Sequence, residues 1–258
     1  TINEGDKALV GTAPWNVGIY QLNIKGNYDM ICGGSIITQN LVITAAHCFW
    51  IKGISQTISV IGDQYKIAVG KYKRSYSVND NDFTQIMNVL RIHLHGSFNG
   101  RPGLYTGDIA IVVMANKISI NNGVSPVCID LKNHYNVLNG TQGKIVGWGK
   151  MANDKLSPDL LEANLSFIDH SSCRSMFSNG FQKLVAGDKF CAGSTSGQEA
   201  SKGDSGAGFT IKNKNSYFLT GIVSVKDADL NNRKSIGVFT DIKYYIKWIK
   251  QFREKYSV

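Results

Sequence analysis

Three short segments of this chain carry residue types that together would make a working nucleophile: Thr44-Ala45-Ala46-His47-Cys48, Gly107-Asp108-Ile109-Ala110 and Gly203-Asp204-Ser205-Gly206. They supply one imidazole, one carboxylate and one hydroxyl. A serine hydroxyl is a poor nucleophile near neutral pH. It needs an imidazole to accept its proton and a buried carboxylate to hold that ring in one tautomer. His47, Asp108 and Ser205 are the right set for that task. The glycines around Ser205 permit a tight turn in which the amides of Gly203 and Ser205 both point at a developing oxyanion. Taken singly, a histidine before a cysteine reads as structural and Gly-Asp-Ser-Gly reads as a turn. All three in one chain point to acyl transfer.

Such a constellation needs a rigid frame. The 258 residues are 43% hydrophobic and 18% charged, enough to bury one large core or two modest ones, which excludes a disordered or collagen-like chain. Short β-branched or aromatic runs bounded by Gly, Asn or Asp read as strands: 17–22, 41–44, 66–70, 109–114, 143–148 and 217–223. The chain is therefore expected to be all-β. One helix stands out at the C-terminus, where Tyr245, Trp248, Ile249, Phe252 and Tyr256 recur opposite Lys243, Lys247, Lys250 and Lys255. Residues 50–64 and 79–82 read as loops, and neither a repeat nor a low-complexity linker divides the chain.

Composition also narrows the partners. No run approaches the ~20 apolar residues of a bilayer span, and Thr1 to Gly5 carry no signal pattern, so any signal peptide is expected elsewhere and no membrane partner is expected. The excess of 28 basic over 19 acidic residues gives +9. Its densest groups, Lys71-Tyr72-Lys73-Arg74 and Lys243 to Lys255, lie beside no base-reading motif, which argues for a solubilising excess and against nucleic acid. Five cysteines without Cys-x-x-Cys spacing, and with only His47 adjacent to one of them, argue against zinc; no metal or other cofactor is expected. Asn139-Gly140-Thr141 and Asn164-Leu165-Ser166 are glycosylation candidates that lean towards a secreted, oxidising setting.

From Pro14-Trp15 to the final helix the sequence resembles the chymotrypsin-like serine endopeptidases. The order His47, Asp108, Ser205 carries the likeness, with Cys32-Gly33-Gly34-Ser35, Gly147-Trp148-Gly149, Phe190-Cys191-Ala192-Gly193, Gly221-Ile222-Val223-Ser224 and Gly237-Val238-Phe239-Thr240 in support. The resemblance implies two antiparallel six-stranded β-barrels, the first over about 1–125 and the second with the helix over about 126–258, with the active site in the cleft between them. It pairs Cys32 with Cys48 and Cys173 with Cys191. That leaves Cys128, which in two-chain members bonds an upstream regulatory segment; a buried free thiol is the other reading. It also implies that an N-terminal ammonium at Ile2 inserts beside Asp204 to order the oxyanion loop. Thr1 then stands one place too early, as a blocking residue or as the true terminus of a longer entry loop.

Departures from the family pattern are equally informative. Ala207 replaces a glycine and adds a methyl close behind the nucleophile, which is expected to be tolerated with some strain. Ser224-Val225-Lys226 replaces Ser-Trp-Gly, removing an aromatic wall from the substrate cleft. Ser201 stands where a pocket cysteine is usual, leaving one wall of the specificity pocket unstapled. Glu199 matches the place where trypsin-like members carry an Asp at the pocket base, with Lys202 and Lys226 competing for its charge, and Gly237 leaves room for a large side chain. Lys71 follows Gly70 where calcium-binding members carry Glu, so an ammonium is expected in the cation's place. Extended loops after Cys48 and over 96–107 would restrict entry to a particular protein substrate.

Within the family the chain looks most like the catalytic domain of insect modular serine proteases. That likeness implies a secreted haemolymph zymogen that joins a pattern-recognition complex and cuts the next protease zymogen, towards Toll signalling or melanisation. The rival readings are a digestive or venom protease, and a catalytically silent or zymogen-like homologue that serves as a binding module.

Overall fold

Two runs of the first half, 41–43 and 109–114, are apolar throughout because both faces of their strands are buried, and these two strands frame the segments that carry His47 and Asp108. The computed structural model describes residues 5–51, 57–60, 62–78, 80–151, 153, 155–177, 179–194, 203–225 and 235–256. Ile2, Glu199, Ser201, Lys202 and Lys226 lie outside them. After the two-residue β1 (Asp6–Lys7) come β2 (Asn16–Leu22), β3 (Tyr28–Thr38), β4 (Leu41–Thr44), β5 (Thr57–Ser59), β6 (Tyr65–Val69), β7 (Gln85–Leu94) and β8 (Ala110–Met114). The order β7-β6-β2-β3-β4-β8 closes through β7 against β8 into a six-stranded antiparallel barrel, with β5 added along β7.

The second half repeats the plan with β9 (Gln142–Gly147), β10 (Leu161–Ile168), β11 (Lys189–Ser194), β12 (Gly208–Asn213), β13 (Ser216–Val225) and β14 (Ser235–Asp241). The order β10-β11-β14-β13-β12-β9 closes through β9 against β10, giving the second six-stranded barrel, and β1 crosses to pair with β10. Short helices α1 (His170–Ser175) and α2 (Asn179–Gln182) precede β11, and α3 (Ile246–Tyr256) ends the described chain. Among the described residues no helix is long and apolar enough to cross a membrane.

Side-chain alternation explains the doubly apolar strands. Val42 of β4 and Ala110, Val112 and Met114 of β8 fill the first barrel, whereas Leu41, Ile43, Ile111 and Val113 point outward into a second cluster. That outer cluster is the seam between the barrels, completed by Leu219 and Ile222 of β13 and by Ile242, Tyr245 and Ile249. A strand buried on both faces reads as a continuous apolar run. In the second barrel, aromatic rings fill the centre, with Phe190 stacked on Phe239 at 5.3 Å. The apolar stripe of α3 docks on the seam, as its periodicity predicts, with Trp248, Phe252 and Tyr256 packed beside it.

The six expected strands all occur, displaced by at most two residues at an end. Four elements correct the sequence reading. Residues 50–64 are not wholly loop, because Thr57–Ser59 pairs with β7; a tight turn over Ile242–Tyr245 precedes α3; and α1 and α2 are additional helices. Both expected disulfides form, Cys32 to Cys48 and Cys173 to Cys191. Cys128 is free and exposed, which removes the buried-thiol reading.

Candidate active site

β4 ends at Thr44 and runs directly into a single tight turn over Ala46–Cys48, which presents His47. Asp108 sits two residues before β8, and Thr44 pairs with Ala110 across the β4–β8 ladder. This register brings the two side chains together. The His47 amide donates to Asp108 Oδ1 at 2.9 Å, and His47 Nδ1 lies 2.8 Å from Asp108 Oδ2. A carboxylate on Nδ1 selects the tautomer with its proton there, leaving Nε2 as the acceptor. Asp108 is fully buried, while the His47 side chain stays 23% exposed.

Two residues of the second barrel complete the support. Ser224, near the end of β13, donates from Oγ to Asp108 Oδ2 at 2.5 Å, and Thr240 of β14 donates from Oγ1 to the Asp108 carbonyl at 3.0 Å. Burial favours the neutral acid at Asp108, but the His47 charge and hydrogen bond, Lys189 and the Ser224 hydroxyl outweigh it, and its pKa falls below the ordinary carboxyl value. Burial likewise disfavours the His47 imidazolium, yet Asp108 prevails against both burial and Lys189 and holds the ring above its usual 6.5.

Ser205 is placed by a turn that only glycines can make. Gly203 and Gly206 have φ of +104° and +80°. A Cβ on Gly203 would lie 2.6 Å from Leu156 Cδ2, and one on Gly206 would lie 2.2 Å from Thr44 Oγ1 and 2.6 Å from the Gly33 carbonyl. The turn is pinned by Gly33 N donating to the Ser205 carbonyl at 2.8 Å and Gly206 N donating to Val223 O at 3.0 Å. The same Gly206 position is 3.3 Å from the Ala45 amide, two residues before His47, so the turn bearing Ser205 and the turn bearing His47 share one corner of the cleft.

Ala207 is fully buried, and a Cβ on Gly33 would approach its methyl at 3.3 Å. The bare backbone at Gly33 makes the room, and Ala207 is not among the non-glycine residues of positive φ, so the strain expected there is absent from the backbone. Asp204 is fully buried with Oδ1 packed 2.4 Å from where a Cβ of Gly147 would stand. Gly237 lies on β14 opposite Ala192, and Val225 pairs with Val238. Glu199, Lys202 and Lys226, expected at the specificity pocket, and Ile2, expected to carry the inserted ammonium, lie outside the described residues.

Ligand atoms of Cys32, His47 and Cys48 lie within 4.8 Å of one another, but both sulfurs belong to the disulfide. Lys71 is buried inside its loop, its ammonium donating to Val78 O at 2.5 Å and lying 3.5 Å from Asp80 Oδ2. Asn139 and Asn164 are both exposed. Sequence reasoning missed Thr44, Asp188, Lys189, Thr240 and Tyr245. Thr44 lies inside the histidine motif, Thr240 inside the Gly237-Val238-Phe239-Thr240 landmark and Tyr245 on the helical stripe, so only Asp188 and Lys189 carried no local signal.

Comparison with known proteins agrees with this geometry. The trypsin family profile, described as "Trypsin", matches residues 2–249. The chain is 29% identical to "Clotting factor C" of Tachypleus tridentatus over 96% of its own length and 25% of that protein. It is 30% identical to "Coagulation factor IX" of Oryctolagus cuniculus (95% of this chain, 82% of that protein) and 31% identical to "Mannan-binding lectin serine protease 1" of Rattus norvegicus (97% and 35%). It thus spans about a quarter of the clotting factor it matches. With a family profile running over nearly its whole length and two closed barrels meeting at a His-Asp pair and a Gly-Asp-Ser-Gly turn, the chain belongs to the trypsin family of serine endopeptidases.

Proposed function

We propose that this chain is the catalytic domain of a secreted serine endopeptidase that cuts a protein loop through an acyl-enzyme and activates the next protease zymogen of an innate-immune cascade. The observation that carries the chemical part is the buried Asp108 held by His47 and Ser224 beside the Ser205 turn. His47 Nε2 takes the Ser205 Oγ proton as Oγ attacks the scissile carbonyl, and the Gly203 and Ser205 amides receive the oxyanion. Collapse breaks the C–N bond, and His47 returns the proton to the leaving amine. Water, deprotonated by the same ring, then releases the acyl group and restores Ser205.

Asp204, buried behind that turn, is the proposed partner of the Ile2 ammonium that orders the oxyanion amides on activation. Glu199, Lys202, Ser224, Val225, Lys226 and Gly237 are together proposed to set the residue accepted before the scissile bond. The names of the relatives, two clotting factors and a lectin-associated serine protease, support a cascade role. Cys128 supports a tethered upstream segment that would carry contact with a pattern-recognition complex. Its backbone is fixed against β13, with its amide donating to Tyr217 O at 3.0 Å and its carbonyl accepting from Leu219 N at 2.9 Å, while its thiol remains free and exposed. Glycans on Asn139 and Asn164 and secretion to haemolymph belong to the same proposal.

The test uses matched reporter peptides ending in Arg or Leu, with Ser205→Ala as the control for contaminating protease. Cleavage after Arg supports Glu199 as the pocket charge, and cleavage after Leu removes that role. Activity surviving in Ser205→Ala refutes the mechanism, and silence on both peptides, after activation of the zymogen, favours the binding-module reading.

A further inference from the structure

The second barrel holds a buried lysine that acyl transfer does not use. Lys189, the first residue of β11, is 1% exposed. Its Nζ donates to Asp188 Oδ2 at 3.0 Å and to Thr240 Oγ1 at 3.2 Å. Asp188 Oδ2 also accepts from Gly107 N at 2.9 Å and from Tyr245 OH at 2.5 Å. The Thr240 hydroxyl has a single proton. The lysine fills an acceptor lone pair of that oxygen, so the proton points to the Asp108 carbonyl 3.0 Å away. Both partners of Lys189 therefore grip the main chain at Asp108, one on the preceding amide and the other on the following carbonyl.

Lysine is almost never fully buried unless paired, and a buried ion pair is weak evidence for stability. A purely structural role accounts for neither the choice of lysine nor the convergence of its contacts on Asp108. We infer that Lys189 is a positioning residue for the Asp108–His47 pair, its ammonium orienting Asp188 and Thr240 so that they clamp the backbone around Asp108 and adding a positive charge behind the pair. This inference rests on the proposed peptidase chemistry and names a further part of it.

The charge has a readable sign. A cation at this place favours the Asp108 carboxylate and disfavours the His47 imidazolium, so Lys189 lowers the pKa of both groups. Asp108 opposes it at His47. The other groups around the lysine are Asp188 beside it in the chain, Tyr245 from the turn before α3, Asp241 at the end of β14, His95 against the Tyr245 ring, and His170 of α1, whose Nδ1 lies 3.1 Å from the Lys189 carbonyl.

The experiment compares the wild-type domain with Lys189→Met and with Lys189→Met/Asp188→Asn. The His47 imidazole is titrated by NMR in a Ser205→Ala background, and kcat/KM is followed against pH in the active proteins. Lys189→Met is expected to move the His47 midpoint upward by on the order of one pH unit. Removing the stranded carboxylate in the double variant should bring it part of the way back. An unmoved midpoint in a Lys189→Met protein with native near-UV circular dichroism overturns the electrostatic role. Thr240→Val tests the clamp independently, because it keeps the ion pair: kcat should fall about tenfold or more with the midpoint unshifted, and Thr240→Ser should restore it. Unchanged kcat in Thr240→Val overturns the positioning role. Because the NMR titration needs no turnover, failure of the peptidase reading and failure of this inference give different results.

Discussion

Gly206→Ala separates two costs that usually arrive together. The residue has φ of +80°, and a methyl there would stand 2.2 Å from Thr44 Oγ1 and 2.6 Å from the Gly33 carbonyl. Gly140 has nearly the same backbone, φ +83°, with nothing within 4 Å of the methyl position. Gly140→Ala should therefore cost only the left-handed backbone strain, about 1 to 2 kcal/mol. Gly206→Ala adds overpacking of about 1 to 3 kcal/mol, since the backbone carbonyl cannot give way and Thr44 must leave its 2.7 Å hydrogen bond to Gly33. The expected loss at Gly206 is then about 2 to 5 kcal/mol, read as a lower urea midpoint. Relief of the contact must push the turn, and Ser205 with it, away from His47. A displacement near 1 Å costs roughly a hundredfold in turnover, whereas Gly140→Ala should retain full activity. Equal stability losses in the two variants, together with full activity in Gly206→Ala, would falsify the view that packing against Thr44 and Gly33 seats the nucleophile.

Three further outcomes are expected. His47 must be neutral to act as base, and its pKa is raised above 6.5, so kcat/KM should climb with pH through a midpoint above 6.5; a flat profile over roughly pH 5 to 8 would count against the assignment. Asp169 caps α1, accepting from Ser172 N at 2.9 Å and Ser171 Oγ at 2.7 Å, so Asp169→Ala should cost ~1 kcal/mol near neutral pH. These hydrogen bonds, the Ser172 amide foremost, hold its carboxyl below the ordinary value of 3.8, so its contribution is present above that value and lost as the pH falls through the lower folded pKa; a variant whose deficit persists unchanged in acid would refute this. Lys71→Met removes the ammonium held by Val78 O and Asp80 but leaves the buried Asp80 carboxylate its donors from the Tyr72 and Lys73 amides, Asn81 and Thr84, so it should lower stability by about 1 to 3 kcal/mol and open this loop to added protease, while calcium should not raise the wild-type melting temperature.

What the sequence made legible follows from how local each signal was. The proposed triad was readable because its three side chains each sit in a short fixed motif whose chemistry is independent of the rest of the chain. β4 and β8 were readable because burial on two faces leaves an unbroken apolar run. β10 carries a clean alternation, with Leu161, Ala163, Leu165 and Phe167 inward and Glu162, Asn164 and Ser166 on the other face, and is a strand beyond the six expected. β5 gave no such signal, since its three residues are held only along one edge of β7. β11 hid itself better: it begins with a lysine and ends in Gly193-Ser194, a composition that argues for a turn until Asp188 and Thr240 are seen to accept the ammonium.

The residues missed share a property, which is that each acts through a partner far away in the chain. Lys189 reaches Thr240, Asp188 reaches Gly107 and Tyr245, and Thr44 reaches Gly33 and faces Gly206. The geometry also shows why the site requires both barrels. Asp108 and His47 come from the first, while the turn that bears Ser205 and the supports Ser224, Thr240 and Lys189 come from the second. The apolar seam of Ile43, Ile111, Ile222 and Ile249 holds the two halves in register. Since a base and a nucleophile are useful only within hydrogen-bond reach, the seam residues govern catalysis through distance, and their contribution could not be found by inspecting the motifs one at a time.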